Sequence, residues 1–182
     1  DENLDVLCAA SQNVPKSELR SKQAKQFGCD PDYCIYTGDQ NPKPLNAGES
    51  NLRSAGFHVH VGYDGPEIDR SLRLLAYMDA YLGLPSILID KDTQRRTLYG
   101  KAGCFRLTDY GCEYRTLSSY FLKDEKHLRW VFNQTIKAIS AYNQCDSLPS
   151  GDLVQKAINT NDEKLARQLC MDYNLCNDFL EN

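Results

Sequence analysis

The chain predicts an α+β fold. Two short runs alternate as strands and carry polar residues on one face, around His58 and Glu113. A longer run, Lys126 to Asn143, repeats its apolar residues at helical spacing. Glycine- and proline-bearing stretches separate these runs, which is the punctuation of a mixed fold and not of a repeat array. With 182 residues, 41% of them apolar, the chain can bury one sizeable core, so residues 1–182 read as a single domain.

Taken in order, Pro15 followed by Ser17 to Lys25 predicts a short surface helix stopped by Gly28. Tyr33 to Thr37, aromatic and β-branched, predicts a strand. Gly38 to Ser50 holds prolines, glycines and polar residues and predicts a loop of the kind that covers sites. Ser54 to Tyr63 predicts the strand that carries the histidines. A helix is expected from Pro66 to Leu82, ended by Gly83, with Ile68, Leu72, Leu75, Met78 (or Ala76) and Leu82 on its buried face. Ser86 to Ile89 is short and apolar, equally readable as a strand or a helical turn. Cys104–Leu107 and Cys112–Leu117 read as strands about a turn at Asp109-Tyr-Gly111. In the long helix, Leu128, Val131, Phe132, Thr135, Ile136 and Ile139 form the apolar stripe, while His127 and Trp130 serve packing or surface. Past a break at Pro149-Ser-Gly come two short helices, Asp152–Asn159 and Asp162–Tyr173, with Asp152 and Asp162 as N-caps.

The chemistry concentrates in three segments. In Ser54-Ala-Gly-Phe-His58-Val-His60-Val-Gly62 the two imidazoles stand two residues apart, so on a strand they share a face while Val59 and Val61 take the other. They are two of only three histidines in the chain. In Tyr110-Gly-Cys-Glu113-Tyr-Arg115 the carboxylate and guanidinium share a face by the same rule, with Cys112, Tyr114 and Thr116 opposite. The third segment, Asp90 to Gly103, adds Arg95, Arg96 and Lys101, for which a solvated turn is the ordinary fate. Imidazole and carboxylate suit a divalent cation, and a planar, permanently charged guanidinium suits phosphate. The same residues would serve a hydrolase in which His58, His60 and Glu113 activate water on a metal, but that leaves Arg115 and the basic loop without a role.

Composition narrows the partners. A net charge of −4 gives no electrostatic case for nucleic acid or an acidic membrane surface. No charged-then-apolar leader and no apolar run near transmembrane length is present, so neither a signal peptide nor a membrane is expected. The eight cysteines include no Cys-x-x-Cys pair, which argues against zinc, and they read as buried thiols that fill space as small apolar groups.

These residues carry a family resemblance. Asn51-Leu-Arg53-Ser-Ala-Gly-Phe-His58-Val-His60-Val-Gly-Tyr63 resembles the His-x-His strand of the tailed-phage carboxylate–amine ligases of type 2. Leu82-Gly-Leu-Pro85, Asp90, Arg95-Arg96, Leu98-Tyr-Gly-Lys101-Ala-Gly103 and Tyr110-Gly-Cys-Glu113-Tyr-Arg115-Thr-Leu-Ser118 follow in that family's order and spacing. Upstream, Phe27-Gly-Cys-Asp30-Pro-Asp32 and Asn41-Pro-Lys-Pro44 resemble it as well. The family is related to glutamine synthetase and glutamate–cysteine ligase. The resemblance therefore implies an antiparallel β-sheet with helices packed on one face, the C-terminal half of a glutamine-synthetase-like catalytic domain. Residues 27–122 would be its sheet and site core, and 123–182 a helical buttress.

By the same resemblance the activity is ATP-dependent formation of an amide bond through an acyl phosphate, with Mg²⁺ or Mn²⁺. His58 and Glu113 would hold the metal. His60, with Arg95 and Arg53, would contact the nucleotide, and Arg115 would stabilise phosphoryl transfer. Arg96 and Lys101 would contact phosphate or a substrate carboxylate. The amine acceptor is expected to be a peptide, a protein or a small amino compound, in the cytoplasm of a phage-infected bacterium or in the virion. Relatives carry a further N-terminal part with acidic metal ligands, and nothing before Phe27 resembles it. The chain is thus expected to be a fragment, a processed product or a split subunit that works with a second polypeptide. A ligase-derived binding module without catalysis is the alternative, and self-association stays open.

Overall fold

The computed structural model describes residues 8–25, 31–42 and 50–175. Along the chain run β1 (Ser11–Asn13), α1 (Lys22–Lys25), β2 (Tyr33–Cys34), β3 (Leu52–Ser54) and β4 (Val59–Gly62). Next come α2 (Ile68–Met78), a wide turn (Asp79–Gly83), α3 (Leu84–Ile89) and α4 (Gln94–Leu98). The chain continues through β5 (Cys104–Thr108), β6 (Gly111–Tyr114), α5 (Glu125–Gln144), α6 (Gly151–Asn159) and α7 (Glu163–Asp172).

Four strands form one antiparallel sheet in the order β2-β5-β6-β4, and β1 pairs with β3 in a separate antiparallel ribbon. Strand alternation divides the larger sheet into two unlike faces. Phe105, Cys112 and Tyr114 are buried on one, with Val59 and Val61 packed beside them. Leu74, Leu75 and Met78 of α2 and Trp130, Val131 and Ala138 of α5 close over that face. The α+β expectation, with helices on one face of an antiparallel sheet, therefore holds. A second cluster joins α3 to α6 and α7 through Leu84, Ile87, Val154, Ile158, Ala166 and Leu169. Truncating a fully buried member such as Leu75 to Ala costs about 2–5 kcal/mol.

The helix expected to end at Gly83 does not end there. Gly83 has helical dihedrals, φ −62° and ψ −54°, and the chain stays helical through Pro85 to Ile89, which also settles Ser86–Ile89 as helix. Gly83 is needed for close approach, since a Cβ there would meet the Tyr114 hydroxyl at 2.6 Å and Asp79 Oδ1 at 2.9 Å. The Leu84 N–H reaches back five residues to the Asp79 carbonyl, so the turn is widened by one residue just before the proline. By length and composition Ile68–Ile89 passes as a membrane-crossing helix, but 67% of its most apolar window is buried inside the protein, as in a core helix.

Other expectations shift. Ser17–Lys25 is a tight turn at Lys16–Glu18 followed by the single-turn α1, and the stop at Gly28 lies outside the described residues. The strand from Tyr33 stops at Cys34, because residues 35–37 turn and the Gly38 N–H bonds back to the Cys34 carbonyl. Most of the Gly38–Ser50 loop lies outside the described residues. Ile68 is 61% exposed and does not join the α2 core face. In α5, Leu128, Phe132 and Ile136 are exposed, because Trp130 stacks on Phe121 at 5.2 Å and turns Val131, Gln134, Thr135 and Ala138 inward. Asp162 caps α7 through the Leu165 N–H as expected, whereas Asp152 lies inside the first turn of α6 and is no cap. His127 packs against Tyr120 and Phe121, a structural role as expected.

Asp79, fully buried, joins the wide turn to the sheet. Tyr114 donates to its Oδ1 at 2.6 Å, Tyr36 to its Oδ2 at 2.9 Å, and Thr116 to Oδ1 at 3.4 Å. Burial raises its pKa to about 6 against the pull of those donors. The folded state then binds more protons than the unfolded state between pH 3.8 and about 6. Stability from this group is therefore greatest below that window and falls as pH rises through it, by about 3 kcal/mol in all. Urea titrations of wild type and Asp79→Asn at pH 4 and pH 7 test this. The difference between them should move in favour of Asn by roughly that amount, and a constant difference would contradict it.

Candidate functional site

The face of the sheet turned away from α2 and α5 is polar, and register builds it. His60 lies opposite Glu113 across β4 and β6, and Arg106 lies opposite Glu113 across β5 and β6. Tyr33 pairs with Phe105, so Asp32 stands beside Arg106 when that register is extended by one residue. One row across the sheet therefore reads Asp32, Arg106, Glu113, His60. The adjacent row holds Cys34, Cys104 and Arg115, the last bonded from its N–H to the Cys104 carbonyl. His58, just before β4, completes that row beside Arg115.

Glu113 is the centre, 5% exposed. Its Oε1 accepts from Arg115 Nη1 at 2.5 Å and stands 2.7 Å from His58 Nδ1 and 3.9 Å from His60 Nε2. Arg106 Nη1 lies 3.7 Å from Oε2. Arg115, also 5% exposed, turns its Nε toward Asp32 Oδ2 at 3.4 Å. Two charges this deep are tolerated because each meets the other and a further partner; removing one would strand its mate. At the rim, His60 Nδ1 shares a hydrogen bond with the Tyr110 hydroxyl at 2.7 Å.

His58 is held neutral at physiological pH. Burial, then Arg115, pushes its pKa down to about 4, while Glu113 pulls the other way. Its shorter contact is to the carboxylate, which assigns the proton to Nδ1 and leaves Nε2 as a lone-pair donor. That nitrogen faces Gly56: a Cβ there would lie 3.0 Å from His58 Nε2 and 3.1 Å from Arg95 Nη2. Arg95 thus borders the cluster from the loop side. It is buried, its guanidinium donating to the Ala55 carbonyl at 3.2 Å and the Thr116 carbonyl at 3.0 Å. Burial lowers its pKa to about 10, and it stays charged at neutral pH.

The structure brings His58, His60, Glu113, Arg115 and Arg95 together, and leaves three of the expected residues elsewhere. Arg96 is buried, not solvated, and donates to the Asp92 carbonyl and Asn161 Oδ1 at 3.2 and 2.9 Å, joining α4 to the loop before α7. Lys101 is exposed, and its carbonyl accepts the Thr116 hydroxyl at 3.0 Å. Arg53 donates to the carbonyls of Ala24, Ser50 and Leu52 beside the β1–β3 ribbon. Sequence reasoning missed Arg106 and Tyr110 as site residues and named Asp32 only within the upstream Phe27–Asp32 motif. Their signal exists only in the strand register, which links residues far apart in the chain. Asp30 lies outside the described residues.

Three guanidiniums (Arg95, Arg106, Arg115) against two carboxylates (Asp32, Glu113) leave a net positive patch with the neutral His58 imidazole beside it, which favours an anion. A divalent cation fits these side chains poorly. Among the described residues no group of three His, Cys, Asp or Glu side chains could hold one, and the Glu113 oxygen nearest the histidines is already bonded to Arg115.

A family model described as "Phage phiEco32-like COOH.NH2 ligase-type 2" matches residues 45–174, a stretch that includes all eight residues singled out from the sequence. No curated protein and no solved structure matches the chain.

The Glu113–His58 contact is open to NMR. The His58 ring should titrate near pH 4 in the wild type, and lower still in Glu113→Gln, because the carboxylate is what favours the charged ring. A rise in the mutant would contradict the geometry. Glu113→Ala should also destabilise the protein by about 3 kcal/mol, since Arg115 is left buried with only Asp32.

Proposed function

This chain belongs to the phage phiEco32-like COOH.NH2 ligase type 2 family, and from that premise we propose that its polar sheet face is the reaction centre of an ATP-dependent carboxylate–amine ligase. In the proposed reaction a substrate carboxylate attacks the terminal phosphorus of ATP, giving an acyl phosphate and ADP. An amine then displaces the phosphate and forms the amide. Such chemistry asks the protein for positioning and for cations aimed at transferring charge, and for no side-chain nucleophile.

The observation that carries this reading is the meeting of Arg115 and Arg106 at the Glu113 carboxylate, with Arg95 beside His58 at Gly56, on one polar sheet face. Arg115 is held from two sides by Glu113 and Asp32, so its fork is oriented before any ligand arrives. Arg106 and His60 stand nearer the solvent and would meet phosphate oxygens or a substrate carboxylate. His58, neutral and oriented by Glu113, offers Nε2 to whatever binds beside Gly56. Mg²⁺ or Mn²⁺ enters this proposal only as the companion ion of the nucleotide. A peptide, a protein or a small amino compound is the proposed acceptor, in a phage-infected cell.

A ligase-derived module that binds nucleotide without turnover is the second reading, favoured by the lack of a three-ligand metal group among the described residues. Release of ADP and phosphate from ATP and Mg²⁺, measured with panels of carboxylates and amines, separates the two. The ligase reading expects release that requires both co-substrates. It also expects a fall of about 10²–10³-fold in Arg115→Ala, with a smaller loss in Arg106→Ala should the buried change impair folding. Nucleotide binding with no release under any pairing would leave the module reading.

A further inference from the structure

Two cysteines flank the polar face on its β2 side, and the register sets them directly opposite each other. Cys34 of β2 pairs with Cys104 of β5. They exchange no backbone hydrogen bond: the Cys34 N–H goes to the Asp39 carbonyl, the Cys104 N–H to the Lys101 carbonyl, and the Cys104 carbonyl accepts from Arg115. The next pair along, Ile35 and Gly103, does bond. Cys34 and Cys104 therefore occupy a non-hydrogen-bonded site of an antiparallel pair. There Cα atoms approach to about 4.5 Å, which lies within the range a disulfide spans.

Cys112 and Cys145 are placed differently. Cys112 faces the opposite side of the sheet, between Val61 and Leu107, and Cys145 is exposed at the end of α5. Cys34 and Cys104 are both free thiols in this structure.

We propose that Cys34 and Cys104 are a reversible modification site, a dithiol on the site face that closes to a disulfide with a glutathione-type oxidant. The two sulfurs divide the work. Cys34 is partly exposed, and its Sγ lies 3.8 Å from the Ala102 carbonyl. Cys104 is buried, and burial pushes its thiol up to about 12, so it is the poorer first nucleophile. The Cys34 thiolate attacks one sulfur of oxidised glutathione and expels a glutathione thiolate. Cys104 then gives up its proton and attacks the Cys34 sulfur, expelling the second glutathione. Two protein thiols are oxidised, one glutathione disulfide is reduced to two glutathione thiols, and the two protons end on those thiols.

The bond would act on the site through a single amide. Asn41 Nδ2 donates to Asp32 Oδ1 at 3.0 Å and to Cys104 Sγ at 3.3 Å, and Asp32 is the second partner of Arg115. Oxidising Cys104 alters one acceptor of the group that holds Asp32, and ties β2 across to β5. This inference rests on the sheet register and is independent of the ligase reading.

The test is to hold the full chain in oxidised glutathione, quench with acid, alkylate the remaining thiols and map the peptides by mass. A Cys34–Cys104 cross-linked peptide is expected, with loss of two hydrogens, reversed by dithiothreitol. It should be absent from Cys34→Ser and from Cys104→Ser, while Cys145 is glutathionylated in all three proteins and shows that oxidant was present. Cys34→Ser alters the less buried partner and keeps the test usable if Cys104→Ser does not fold. Cys104 recovered alkylated from the wild type after Cys145 has reacted, or Cys34 joined to a different cysteine, would overturn the proposal.

Discussion

The buried carboxylate of Asp79 is the interaction on which the rest of the molecule depends. It is fully buried in the widened turn between α2 and α3, where the chain passes from one hydrophobic cluster to the other. Its oxygens accept from Tyr114 at the end of β6, from Thr116 two residues further on, and from Tyr36, just past β2. Three separate segments are pinned to one point in the core. Burying the charge is costly, as its raised pKa shows, and the hydrogen bonds offset part of that cost.

The consequence for the opposite face follows from alternation. Tyr114 and Thr116 point to Asp79, so Glu113 and Arg115, which alternate with them, must point the other way. Locking the inner pair fixes the outer pair in position and rotation, which a lone surface strand would not do. The ion pair on the outer face adds local order but is a poor source of stability, because both charges were taken out of water to make it. Packing and the Asp79 bonds hold the sheet, and the Glu113–Arg115 pair spends part of that stability on orientation.

Much of this was legible in the sequence. The His-x-His and Glu-x-Arg spacings placed four side chains on one face because strand period is strictly two, and the structure keeps all four there. The α5 helix was legible from its spacing, but its inward face was not: Leu128, Phe132 and Ile136 fit the same period as the residues that are buried. Trp130 stacking on Phe121 decides the rotation, and that contact belongs to tertiary structure. Gly83 read as a stop because glycine commonly ends helices, whereas here it clears space for Tyr114. Arg106 and Asp32 join the site through cross-strand register, which no local pattern encodes. Arg96 fits the basic pattern of the loop but is buried and bonds Asp92, Ser86 and Asn161 away from the site.

If this protein is a ligase, nucleotide binds on the polar face of the sheet. The direct measurement is a two-dimensional NMR titration of the labelled chain with a non-hydrolysable ATP analogue and Mg²⁺. The predicted result is a set of shifted resonances confined to His58, His60, Arg106, Glu113, Arg115 and the Gly56 backbone. Shifts clustered instead on the exposed α5 residues Leu128, Phe132 and Ile136, or no shifts at saturating analogue, would contradict it.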